Sequence, residues 1–120
     1  MRVPSFDEFA DMLDLAIERI PERFLRALTG GFNVQEEKKR DGDYYVMGEY
    51  IEDGLLGNFI MFYYGSFKAL LADEPLAVWE EEIMDTVLHE LQHHLESMAG
   101  RDDLAQKEIE ELTQALRKGC

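Results

Sequence analysis

The sequence predicts an α+β domain with helices packed on a short sheet. Apolar residues recur at helical spacing near the N-terminus, and they do so again from residue 78 onward. Between these stretches lies a segment rich in aromatic and β-branched residues, broken by turn pairs. A length of 120 residues is most simply one domain, 1–120, able to bury a single core.

The first helix opens at "PSFDEF", where Ser5 and Glu8 have the spacing of a capping box. Phe6, Phe9, Leu13, Ile17 and Ile20 form its apolar stripe, with Asp7, Asp11, Asp14 and Glu18 between them. Pro21 then suits the first turn of a second short helix, "PERFLRAL", ended by Gly30 and Gly31. "FNVQ", "YYVMGEYI" and "NFIMFYYG" read as three strands, and the charged run 36–41 reads as a solvated hairpin tip before Asp41-Gly42. "GSFKALLADEP" reads as a turn, with at most one helical turn, and then a loop. Asp73-Glu74-Pro75 starts the long helix, which runs to about Met98 with Ala99-Gly100 as its C-cap. Asp102 caps a last helix carrying Leu104, Ile109, Leu112 and Leu116.

Composition narrows the functional classes. Twelve basic residues against 26 acidic ones give a formal charge of −14, which repels phosphate backbones and argues against nucleic acid as a partner. The same charge can steer a cationic peptide. The longest apolar run, Phe59 to Tyr64, falls far short of the roughly 20 residues that span a bilayer, so no membrane partner is expected. The N-terminus has no apolar h-region, and the one cysteine, Cys120, forms no internal disulfide. The cytoplasm is the expected compartment.

All three histidines lie in "TVLHELQHHLE", residues 86–96. On a helix, Ile83, Met84, Val87, Leu88, Leu91, Leu95 and Met98 gather into the core stripe, and His89 and His93 fall on the opposite side. Imidazoles four residues apart stand one above the other and can each direct a nitrogen at one ion. Zinc accepts such ligands and lowers the pKa of a bound water, from which the neighbouring Glu90 takes the proton as general base. His94, at the border of the stripe, is expected to be packed or hydrogen-bonded, outside the site. Asp85, one turn before His89, has the spacing of an acceptor that would orient that imidazole.

"TVLHELQHHLESMAG", preceded by "FIMFYYGSF" and by "SFDEFADMLDLAIERIPERF", resembles the small bacterial zincin-like metallopeptidases, the minimal zincins. The resemblance runs from about Ser5 to Gly100 and more weakly beyond. It implies a compact zincin-like core with a sheet edge that holds an extended peptide, His89 and His93 as zinc ligands, and Glu90 as general base. Such proteins often place a glycine soon after the second histidine and an acid three positions later. Here Glu96 stands three residues after His93, and Gly100-x-x-Asp103 keeps the interval further along. Asp103 is therefore the favoured third ligand, with Glu96 and Glu108 as alternatives. Glu96 lies seven residues from His89, about 10 Å along the axis, which strains a shared ion.

The function these features favour is that of a zinc metallopeptidase acting on a peptide or protein substrate. A metal- or peptide-binding module without catalysis is the alternative, and a metal-free interaction protein is the third.

Overall fold

The computed structural model describes residues 3–99, 110–111 and 114. Helix α1 (Phe6–Glu18) begins as its sequence requires: the Ser5 hydroxyl accepts from the Glu8 amide at 3.1 Å, and the Glu8 carboxylate accepts from the Ser5 amide at 2.9 Å. Phe9, Leu13 and Ala16 are its buried face. The helix ends before Pro21. Beyond the proline the chain makes no regular helix but a single 3-10 turn, Glu22–Leu25, which sinks Phe24 wholly into the core. Arg26 is extended and Ala27 takes φ +63°, so the chain turns away after one turn.

Strands β1 (Gly31–Gln35), β4 (Gly48–Asp53) and β5 (Gly57–Tyr63) form a mixed three-stranded sheet in the order β1-β5-β4. β1 runs parallel to the central β5 and β4 runs antiparallel to it. Strands β2 (Lys39–Asp41) and β3 (Tyr44–Val46) make a separate hairpin closed by Gly42 and Asp43, with Gly42 at φ +63°. Two sequence expectations shift accordingly. The charged run supplies a strand of the hairpin and the tip lies just beyond it. "YYVMGEYI" is two strands, since β3 pairs with β2 while β4 pairs with β5.

"YGSFKALL" forms helix α2 (Tyr64–Leu71), because Tyr64, Phe67 and Leu71 recur at intervals of three and four and all are buried. Helix α3 (Leu76–Ala99) then crosses the molecule for 24 residues. Trp79, Ile83, Met84, Val87, Leu91 and Leu95 meet Phe9 and Leu13 of α1, Ile60 and Phe62 of β5, and Phe67 of α2 in one core. The Trp79 indole donates to the Leu71 carbonyl at 2.8 Å, so the largest core side chain is polar-satisfied at the start of α3. Glu110, Glu111 and Gln114 are helical, and Glu111 pairs with Arg23 at 3.1 Å. The rest of the expected last helix, with its Asp102 cap, lies outside the described residues. Among the described residues no helix is long and apolar enough to cross a membrane.

Candidate metal centre

The core stripe of α3 fixes which residues turn outward. With Val87, Leu91 and Leu95 buried, His89 and His93 are exposed one turn apart. Their rings meet edge to face, with centroids 4.7 Å apart, and their Nε2 atoms lie 3.3 Å apart. Zinc bound tetrahedrally through Zn–N bonds of ~2.0–2.1 Å holds two ligand nitrogens about 3.3–3.4 Å from each other. The separation fits one such ion, and it is also within hydrogen-bond reach of one ring nitrogen for the other. Ligand atoms of His89, Glu90 and His93 all lie within 4.8 Å of one another, and no other described residues form such a group.

Unlike the two histidines, Glu90 is enclosed. It is 8 % exposed, because β4 passes over it. Gly48 permits that approach: a Cβ there would sit 2.8 Å from the Thr86 methyl, 3.3 Å from the Met61 carbonyl and 3.5 Å from Glu90 Cγ. The Tyr50 amide, turned away from β5, donates to Glu90 Oε1 at 3.0 Å. Burial pushes the Glu90 carboxyl above the usual range, offset in part by the two histidines and the Tyr50 amide, while Glu49 adds to the rise.

α3 and the outer edge of β4 enclose an open cleft of about 610 Å³ lined by Gly48, Glu49, Tyr50, Glu52, Glu90, His93, Glu96 and Ser97. Ser97 donates to Glu52 at 3.0 Å, joining the walls at one end. Glu49 Oε1 accepts both the Lys39 ammonium and the Tyr63 hydroxyl, each at 2.6 Å. Burial raises the Glu49 carboxyl, but those two donors outweigh it and leave it below its ordinary value.

The structure thus brings His89, Glu90 and His93 together. Glu96 lines the cleft beside them but stays outside the tight group, and Asp103 and Glu108 lie outside the described residues. Asp85 is exposed, and among the described residues no hydrogen bond joins it to His89. His94 is packed, as its border position predicts: it is fully buried, with Nδ1 2.9 Å from the Tyr50 hydroxyl and Nε2 2.8 Å from the Arg26 carbonyl. Sequence reasoning missed Gly48 and Tyr50. The one available signal was a glycine interrupting a strand pattern, which marks a close backbone approach.

Residues 33–115 match the family model described as zincin-like metallopeptidase. A solved structure of a conserved hypothetical protein from Thermus thermophilus is 35 % identical in sequence. It superimposes with a TM-score of 0.72 over 82 % of this chain and 100 % of its own. No protein of curated function matches the chain.

Proposed function

The chain belongs to the zincin-like metallopeptidase family, and from that premise we propose that it is a zinc-dependent peptidase acting on extended peptides. The observation that carries this reading is the pair of imidazole nitrogens 3.3 Å apart beside a buried, hydrogen-bonded carboxylate, at the mouth of a cleft. His89 and His93 would hold the ion, and Asp103 is our candidate for the third ligand, ahead of Glu96 and Glu108. A zinc ion held there supplies Lewis acidity, making water nucleophilic near neutral pH and polarising a carbonyl.

The chain's own residues do the rest. The Tyr50 amide donates to Glu90 Oε1 and holds the carboxylate, which is placed to take the proton of the attacking water. The same carboxyl then delivers that proton to the departing amine as the peptide C–N bond breaks. The outer edge of β4 supplies backbone groups along which an extended substrate can lie as an added strand. Among the described residues, the cleft lining offers the carboxylates of Glu49, Glu52, Glu90 and Glu96 and no Lys or Arg, which suits a basic peptide.

Metal content by plasma mass spectrometry and digestion of a peptide library test the proposal together. Zinc near one per chain is expected in the wild type and little in His93→Ala. Glu90→Gln should keep the metal and lose on the order of 10²- to 10⁴-fold in cleavage, the usual worth of a general base. Undiminished cleavage in Glu90→Gln overturns the mechanism. Peptide binding without cleavage makes the protein a binding module instead. Loss of metal in Asp103→Ala, but not in Glu96→Ala or Glu108→Ala, identifies the third ligand.

A further inference from the structure

We propose that Tyr50 and His94 are positioning residues that hold Glu90 in place, and that this is why the histidine of the motif is doubled. The inference rests on the reading of Glu90 as the proton carrier. Helix α3 carries two interleaved pairs at a spacing of four. His89 and His93 face outward, while Glu90 and His94 face β4. Both members of the second pair grip the same residue. Glu90 accepts the Tyr50 backbone N–H at 3.0 Å, and His94 meets the Tyr50 hydroxyl at 2.9 Å.

The chemistry of the Arg26 carbonyl fixes the direction of one of the two bonds that His94 makes. The Arg26 carbonyl can only accept, so His94 Nε2 carries a hydrogen and donates across 2.8 Å. With one hydrogen on the ring, Nδ1 is then an acceptor and the Tyr50 hydroxyl donates to it. The ring is fully buried, out of reach of bulk solvent, and packs edge to face on Tyr50 at 5.2 Å. That carbonyl lies at a turn of unusual backbone. Arg26 immediately precedes Ala27, a non-glycine residue at φ +63°, a conformation that persists only where its surroundings enforce it. A continuous path therefore runs from the turn after the 3-10 segment, through His94 and Tyr50, to the carboxylate at the metal centre.

The test compares zinc-supplied wild type, Tyr50→Phe and Tyr64→Phe. Tyr64→Phe is the control: it also removes a buried phenolic hydrogen bond, to the Pro4 carbonyl, but one away from the cleft. Nitrogen-15 spectra of the histidines should show His94 with hydrogen on Nε2 only. In Tyr50→Phe the amide at position 50 should exchange at least ten-fold faster and kcat should fall at least ten-fold. KM should change less than two-fold, and zinc should stay near one per chain. Tyr64→Phe should lower the melting temperature and move neither the amide nor kcat. Hydrogen on His94 Nδ1, or an amide at position 50 that exchanges in Tyr50→Phe as in wild type, overturns the inference. Should Glu90→Gln retain full turnover, the peptidase mechanism fails on its own account, and the tautomer and amide measurements still decide whether the grip exists.

Discussion

At the scale of single residues, Glu49 shows how one oxygen can set the charge of a cleft wall. Burial alone would keep its carboxyl protonated to higher pH, but Lys39 and Tyr63 both donate to it and the net displacement is downward. A carboxyl whose folded pKa is depressed contributes stability above its unfolded value, roughly pH 4.3 for glutamate. That contribution is lost as the pH falls through the lower folded value. The gap in melting temperature between wild type and Glu49→Gln should therefore be widest near neutrality and close as the pH drops below about 4. A gap that does not vary with pH would mean the carboxylate charge plays no part. The group is 32 % exposed, so solvent screening keeps the effect small.

Between elements, the decisive contact is that of β4 with α3, and it turns on Gly48. A methyl at that position meets the branched side chain of Thr86 at 2.8 Å and the β5 carbonyl of Met61 at 3.3 Å, neither of which can swing aside freely. Gly48→Ala should cost about 1–3 kcal/mol, the usual penalty for overpacking, measured as a lower denaturant midpoint with an unchanged slope. It should also weaken the Tyr50–Glu90 bond. An unchanged midpoint would show that β4 has room to retreat.

This contact also marks where the sequence was legible and where it was not. α3 could be read because one apolar stripe repeats over many turns, from Ile83 to Leu95, and that same stripe places His89 and His93 outside. The capping box of α1 is local and equally plain. The break between β3 and β4 was hidden because "YYVMGEYI" has strand character throughout. Only the approach of α3, some 40 residues further along the chain, makes Gly48 and Tyr50 special. Tertiary packing likewise decided the fate of "PERFLRAL", where burying Phe24 after a single turn outweighed helical propensity.

For the whole molecule, the net charge of −14 and the carboxylates of the cleft act in the same direction. Attraction of a basic peptide should therefore be strong at low salt and fade as the screening length drops from about 10 Å at 0.1 M to about 3 Å at 1 M. The expected result is a kcat/KM for Lys/Arg-rich peptides that falls several-fold over that range, carried by KM, while neutral peptides change little. Equal salt dependence for both would remove charge from the account of selectivity. The β2–β3 hairpin contributes to the same charge balance. It has its own hydrogen-bonded ladder and shares no strand with the three-stranded sheet, yet it delivers Lys39 to Glu49. The hairpin thus bears on the cleft through the charge of Glu49, while Glu52, Glu90 and Glu96 stand on β4 and α3. A change confined to the hairpin would therefore retune one carboxylate of the cleft and leave the other three where they are.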